Sequence, residues 1–205
     1  MKAFTTNEQS RAPRISRDSL MSLETYARER KLFRSRVLAH KKPRSVHLGE
    51  HVTLLFEDEL TIRYQIQEML RIEKTFEEAG IQAELDAYNP LVPDGTNWKA
   101  TMLVEYEDVD DRRRALAALK GVERRVWVRA EGRPRIFAIA DEDMERENDE
   151  KTSSVHFLRF ELDAESISAL KRGAALAIGV DHPAYAFTLA QVPEATRRTL
   201  LADLG

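Results

Sequence analysis

The sequence predicts an α+β protein with a mainly antiparallel sheet, a long N-terminal helix and a packed central helix. Segments with the apolar–polar alternation of strands far outnumber regular strand–helix pairs, which argues against a doubly wound parallel fold. Two such segments, 124–130 and 135–140, flank Glu131-Gly132 as the arms of a hairpin would. Apolar residues recur with the spacing of a helix face at 16–40 and at 62–79, which predicts the two main helices.

The N-terminal half is expected to begin with a flexible tail at 1–15, followed by a single domain over 16–205. Ser16 is a suitable N-cap for the helix at 16–40, because its hydroxyl can accept a hydrogen bond from a free backbone amide. Alternation of Val52, Leu54 and Phe56 predicts a strand at 51–57. The helix at 62–79 is expected to stop at Gly80, and a shorter helix follows at 81–88.

The C-terminal half alternates strands with short helices. Trp98, Ala100 and Met102 share one side of a strand at 98–106. Asp163 is expected to cap a short helix that reaches 171. The other expected elements are a helix at 110–120, strands at 154–162, 174–180 and 185–192, and a helix after Pro193.

Composition excludes several classes of protein. The chain has 205 residues, 42% of them hydrophobic, and can therefore build a sizeable core. It has no cysteine, which excludes disulfides, thiolate metal sites, iron–sulfur ligation and cysteine catalysis. No apolar run approaches the roughly 20 residues that span a bilayer. The N-terminus also lacks an apolar signal core, so the sequence predicts a cytoplasmic protein without a membrane segment.

Charge is distributed unevenly although the net charge is only −3. Residues 11–44 hold eleven lysines or arginines and three acids, whereas residues 141–150 hold seven acids and Arg146. Such segments can bind acidic partners or nucleic acid, or they can complement one another within the molecule or in a homo-oligomer. Nucleic acid ranks last among these partners, because the segment shows no stacking platform of aromatic residues interleaved with the basic ones.

Glu73 is the most unusual feature of the central helix. At about 100° per residue it projects from the middle of an apolar stripe, and an unpaired buried carboxylate is too costly to keep. One interpretation pairs it with Arg30 or Arg34, which lie within the apolar arc of the N-terminal helix. The other makes it a functional residue. The stripe consists of Ile62, Ile66, Met69, Leu70, Ile72 and Phe76.

His156 is the second candidate, since it shares a strand face with Leu158, Phe160 and Leu162. A histidine in such surroundings is either a hydrogen-bonded core residue or, if it meets Glu73, a catalytic or metal-ligating group.

The dipeptide Asp181-His182 follows a predicted strand and is a further candidate for metal binding. The alternative is a turn stabilised by the Asp181 side chain.

The sequence carries none of the strong catalytic or cofactor motifs. There is no G-x-S-x-G elbow, no phosphate-binding glycine loop and no H-E-x-x-H, and the acidic segment lacks the glycine of a calcium loop. No cofactor is indicated.

Five residues are instead candidates for partner binding. Lys41, Lys42 and Arg44 form a basic turn, and Tyr64 and Arg71 lie opposite Glu73 on their helix. Tyrosine and arginine are favoured at interfaces, although the same pattern suits an ordinary exposed face.

Three stretches together carry a resemblance to a known family: YQIQEMLRIE at 64–73, TSSVHFLRF at 152–160 and GVDHPAY at 179–185. From about residue 16 to the end, the chain resembles a family of small bacterial and archaeal proteins of unknown function. Members are often encoded beside rubrerythrin and an iron–sulfur oxidoreductase similar to the heterodisulfide-reductase type. The resemblance implies a role in peroxide or iron redox metabolism and assigns no site residue.

Two hypotheses follow. The first is an accessory or interaction protein that docks on a cofactor-bearing partner, the candidate partners being the iron–sulfur oxidoreductase or rubrerythrin. The second is an enzyme or metalloprotein that uses Glu73 and His156.

Overall fold

The protein folds into six α-helices and two antiparallel sheets within the described residues, which confirms the predicted α+β class. The computed structural model describes residues 15–142, 146 and 150–205. The helices are α1 (Leu23–Lys41), α2 (Glu59–Glu73), α3 (Glu78–Tyr88), α4 (Val109–Ala118), α5 (Ala164–Lys171) and α6 (Glu194–Leu201). The strands are β1 (Ser45–Leu48), β2 (Val52–Glu57), β3 (Asn97–Val104), β4 (Val126–Ala130), β5 (Ile136–Phe137), β6 (Ile139–Ala140), β7 (Val155–Glu161), β8 (Leu176–His182) and β9 (Tyr185–Leu189).

The strands form a five-stranded sheet in the order β1-β2-β3-β7-β6 and a four-stranded sheet in the order β5-β4-β8-β9. The predicted hairpin therefore divides. β5 pairs with β4 in the four-stranded sheet, and β6 crosses to pair with β7 in the five-stranded sheet.

The main core lies between the two sheets. Alternate residues of β3 and β7, such as Trp98, Met102 and Phe160, face inward and pack in one cluster with Val128 and Ile178 of the four-stranded sheet. α4, α5 and α6 each add a buried leucine to the same cluster: Leu116, Leu170 and Leu200. Because successive strand residues point to opposite faces, the remaining residues of β3 and β7 project to the other side of the five-stranded sheet.

The N-terminal helices form two further apolar clusters. α2 and α3 bury Ile66, Leu70 and Leu85 together with Ile15 and Leu20. Residues 1–14 of the predicted tail lie outside the described residues, but Ile15 is buried, and its amide donates to the Asn89 side chain at 2.9 Å. Ile15 therefore belongs to the folded domain rather than to the tail.

α1 contacts the rest of the molecule along one edge, where Tyr26, Phe33 and Val37 pack against Leu60 and Tyr64. The helix begins at Leu23 rather than at residue 16, because Ser22 caps it by accepting from the Thr25 amide. The chain before it forms a short 3-10 turn, Arg17–Ser19.

The central helix differs most from its prediction. It ends at Glu73 rather than at 79, because Lys74 takes the left-handed conformation (φ +54°) and its amide donates to the Leu70 carbonyl. The next helix, predicted at 81–88, begins earlier, at Glu78. Gly80 consequently lies inside α3 rather than ending a helix. Strand β1, which pairs with β2 across a turn at Gly49 (φ +78°), was also not predicted.

Within the described part of the chain, every helix is too short or too polar to cross a membrane.

Candidate functional site

Glu73 is exposed to solvent, so the expectation that it lies on a buried face is wrong. It is the last residue of α2, and Ile72 and Phe76 beside it are 60% and 74% exposed. The predicted stripe requires a continuous helix, whereas the left-handed turn at Lys74 carries Phe76 away from the α2 core.

The carboxylate that meets the N-terminal helix is Glu68. The Arg30 guanidinium donates to its two oxygens from Nε and Nη2 at 2.7 and 2.8 Å, and the Tyr26 hydroxyl donates at 2.6 Å. Arg71 adds an ion pair at 3.4 Å. The hydrogen bonds from Arg30 hold the pKa of Glu68 at about 2, although partial burial opposes them. The predicted pairing of Glu73 with Arg30 or Arg34 is replaced by this cluster.

His156 is completely buried. Its Nδ1 lies 2.5 Å from an Asp141 carboxylate oxygen, and its Nε2 lies 3.0 Å from both the Ser153 carbonyl and the Thr152 hydroxyl. The carboxylate and the carbonyl are acceptors, and the Thr152 hydroxyl can donate or accept, so each ring nitrogen has a hydrogen-bond partner. Both nitrogens are occupied within the protein, and the exposed Glu73 is not among the partners of the ring.

The sequence did not predict a role for Asp141, because this residue looks like the first of a run of acidic residues. It adopts a left-handed conformation (φ +50°), and its second carboxylate oxygen accepts from the Phe157 amide at 2.9 Å. Arg146 lies 3.2 Å from the same carboxylate. These contacts join the start of the acidic segment to β7. The acids at 143, 145, 147 and 149 lie outside the described residues.

Asp181 and His182 are the last two residues of β8, next to the turn that leads to β9. Asp181 forms an ion pair with Arg135 at 3.0 Å. His182 accepts from the Ala184 amide at 3.2 Å, and its other ring nitrogen lies 3.0 Å from the Lys120 carbonyl. The histidine rather than the aspartate thus stabilises the turn.

The described residues contain no group of three or more His, Asp or Glu side chains that could hold a metal ion. The proposed metal candidates Glu73, His156, Asp181 and His182 do not converge in such a group.

Arg44 is buried, which contradicts its assignment to a docking surface. It donates to the carbonyls of Phe56 and Glu57 and to the Asp203 carboxylate, the last at 2.5 Å. Burial raises the pKa of Asp203 to about 6, against the pull of the guanidinium. The Arg44 side chain therefore joins the first hairpin to the C-terminal segment.

The other interaction candidates differ in how accessible they are. Lys42 and Arg71 are exposed, and Arg71 is paired with Glu68. Lys41 and Tyr64 are partly buried, and the ammonium group of Lys41 lies 5.9 Å from the Tyr64 ring centroid.

The outer face of α1 is the most distinctive exposed surface of the basic segment. Leu32 is 78% exposed there and Leu38 is 44% exposed. Four exposed cations share the helix with these leucines, namely Arg28, Lys31, Arg34 and Arg36. We call Lys31, Leu32, Arg34, Arg36 and Leu38 the basic face of α1.

The fold and the surface together describe an α+β protein with two sheets and a basic helix, α1, that packs along one edge. The chain belongs to the DUF3501 family of proteins of unknown function, whose family model matches residues 14–204. It is also similar to a protein from Burkholderia pseudomallei K96243, whose crystal structure at 1.90 Å resolution is described as that of a novel protein of unknown function. The two are 55% identical with a TM-score of 0.90, over 94% of this chain and 100% of the other. No curated protein matches the chain.

Proposed function

We propose that this protein is an accessory protein of a cytoplasmic peroxide or iron redox system and docks through the basic face of α1 on an acidic surface of a cofactor-bearing partner. The observation that carries the proposal is the exposure of two leucines among the cations of that face. The family resemblance at 64–73, 152–160 and 179–185 supports the redox system as the setting.

The attachment of α1 leaves most of its circumference free. A helix of 19 residues is about 28 Å long. Three side chains along this length, Tyr26, Phe33 and Val37, are buried. Because only one stripe is used for folding, the basic face can contact a partner without any rearrangement of the core.

The charges on this face are available for a partner. Among the described residues, Lys31, Arg34 and Arg36 have no partner in an ion pair. Arginine is enriched at protein interfaces, and exposed apolar side chains within a basic surface provide nonpolar area that a partner can bury. An acidic surface on the partner would also accelerate association at low ionic strength.

An iron–sulfur oxidoreductase or rubrerythrin fits this role, since the cysteine-free chain cannot itself hold a thiolate-ligated cluster. A second copy of the chain is the competing partner, because residues 141–150 are acidic. An enzyme or metalloprotein centred on Glu73 and His156 is not favoured, since one side chain is exposed and the other is buried with both ring nitrogens occupied.

The test is a charge reversal of the basic face with a matched control. We expect Lys31→Glu/Arg34→Glu to abolish capture of the partner by a tagged copy purified anaerobically from its native host. Arg113→Glu/Arg125→Glu makes the same change in net charge at two exposed positions elsewhere and should leave capture intact. Quantitative mass spectrometry identifies the captured proteins.

Recovery of an iron–sulfur oxidoreductase or rubrerythrin with the unchanged protein and the control, but not with the α1 variant, would support the proposal. Equal recovery with both variants would refute docking through α1. Recovery of only the protein itself, as a dimer by light scattering that the α1 variant loses, would replace the redox partner with a second copy.

A further inference from the structure

A cleft of about 730 Å³ lies between the α2–α3 layer and the outward face of the five-stranded sheet. The helical layer contributes Met69, Ala87, Tyr88 and Leu91, and the sheet contributes Phe157, so most of the wall is apolar. The volume falls in the range of sites for small organic ligands. None of the sequence candidates for catalysis or metal binding lines this cleft.

The floor of the cleft carries two cations side by side. Lys99 of β3 and Arg159 of β7 are directly opposite in the antiparallel register. Both line the cleft. Like charges at directly opposed positions destabilise a sheet unless other groups compensate them.

Of these two cations, only Arg159 forms ion pairs with carboxylates among the described residues. Arg159 donates from Nε and Nη2 to Glu142, both at 2.8 Å, and from Nη1 to Glu161 at 2.5 Å. The ammonium group of Lys99 has no hydrogen bond or ion pair with any residue that the structure describes. Burial lowers the pKa of Lys99 and the neighbouring Arg159 adds to the effect, whereas the carboxylates of Glu142, Asp94 and Glu161 oppose it through space. The half-buried ammonium group of Lys99 therefore has carboxylates nearby, but none of the described ones lies within hydrogen-bond or ion-pair distance of it.

We propose that this cleft binds a small organic monocarboxylate, with the carboxylate on the Lys99 ammonium group and the apolar body against Met69, Leu91 and Phe157. The site is separate from the basic face of α1 and does not depend on the proposed docking function.

The acidic residues of the cleft favour a ligand with a single negative charge. Glu142 is held by Arg159, and Glu84 lies elsewhere on the lining, where burial and the nearby Glu73 raise its pKa. Arg146 also lines the cleft, but its guanidinium lies over the Phe157 ring and forms an ion pair with Asp141. A polyanion such as a nucleotide would be repelled by the carboxylates of the lining, and Lys99 alone could not neutralise it. A ligand with one carboxylate and an alkyl or aryl body matches both the charge and the walls.

The test compares two probes that differ in charge and share an alkyl chain. We expect calorimetric titration of the full chain to show saturable binding of octanoate. Octanamide should bind at least roughly tenfold more weakly, since it forfeits a charge-assisted hydrogen bond. Lys99→Met should remove the preference, and Lys99→Arg should keep it. Lys171→Met, at an exposed lysine of α5, should bind octanoate as the unchanged protein does.

Equal affinity for octanoate and octanamide would overturn the proposal, as would no binding of either probe. An unaltered preference in folded Lys99→Met would overturn it too. The comparison of the two probes on the unchanged protein needs no variant, so it decides the matter even if Lys99→Met does not fold. Loss of partner capture in the α1 variant bears on docking alone, which keeps the two proposals distinguishable.

Discussion

Glu68 collects hydrogen bonds from Tyr26 and Arg30 of one helix while lying on another, and so fastens α1 to α2 through a single carboxylate. Such a group is costly to remove, because its partly buried donors are left without an acceptor. Glu73, five residues later, faces solvent and supports no such cluster among the described residues.

We expect Glu68→Gln to lower the free energy of unfolding by about 1–2 kcal/mol, because a neutral amide replaces a charge-assisted acceptor in a partly exposed cluster. Urea denaturation at neutral pH measures the change. Glu73→Gln is the matched control and should stay within about 0.5 kcal/mol of the unchanged protein, as exposed substitutions do. A larger cost for Glu73→Gln than for Glu68→Gln would contradict this description.

The unchanged protein and Glu68→Gln should also differ in their pH dependence. The pKa of Glu68 in the folded state, about 2, lies below the ordinary value of 4.5, so its ionised form stabilises the fold. This contribution is complete above pH 4.5 and is lost as the pH falls towards 2. The difference in stability between the two proteins should therefore narrow with acidification below 4.5. A gap that stays constant over this interval would show that the charge is not the cause.

Residue periodicity could reveal that a carboxylate and an arginine join the first two helices, but not which carboxylate. The choice between Glu68 and Glu73 depends on which side of α2 faces α1 and on where α2 ends, and periodicity determines neither. For the same reason the sequence could not show that Arg44 is buried, since its partner Asp203 lies 159 residues away.

At the scale of the element, the connection between α2 and α3 depends on one residue in a strained conformation. Lys74 is a non-glycine residue with φ +54° at the C-cap of α2. Glycine adopts this conformation without the steric cost of a Cβ atom.

Lys74→Gly is therefore expected to raise the free energy of unfolding by about 0.5–1 kcal/mol, because it removes the left-handed strain at an exposed cap. Lys74→Val should lower it, since a β-branched side chain fits this region poorly. Thermal denaturation of the two variants beside the unchanged protein gives the comparison. Destabilisation by the glycine would mean that the lysine side chain, rather than its backbone, matters at this turn.

Elements with strong local rules were predictable. Asp163 does cap α5, and Trp98, Ala100 and Met102 do share the inward face of β3. The break at Lys74 and the short strand β1 were not predictable, because no glycine or proline marks the first and β1 has only four residues. For the cleft, the sequence could show that Lys99 lies between two apolar residues of a strand, Trp98 and Ala100. It could not show that Arg159 is its cross-strand neighbour, because register is a tertiary property.

At the scale of the whole molecule, the four-stranded sheet is packed tightly at one glycine. A Cβ atom at Gly179 of β8 would lie 2.4 Å from a ring carbon of Trp127 and 2.7 Å from the Phe187 carbonyl oxygen. One of these obstacles is backbone of the neighbouring strand β9, so a side-chain rotation cannot relieve both.

Gly179→Ala should accordingly destabilise the protein by about 1–3 kcal/mol through overpacking. Gly132 offers the contrasting site, since it lies at a turn with φ +74° and a Cβ atom there would have no described neighbour within 4 Å. Gly132→Asn should cost less than Gly179→Ala, because asparagine tolerates the left-handed region. Urea midpoints of the two variants provide the measurement, and a reversed order would argue against close packing at Gly179.

Each sheet also has one tryptophan, and the chain has two in all. Trp98 lies in the five-stranded sheet with its indole N–H donating to the Leu200 carbonyl, and Trp127 lies in the four-stranded sheet beside Arg135. Replacing either one with phenylalanine leaves a fluorophore that reports on the other sheet alone. The emission of the two variants during denaturation can thus reveal whether the sheets melt together, as one cooperative unit over 16–205 requires, or in succession.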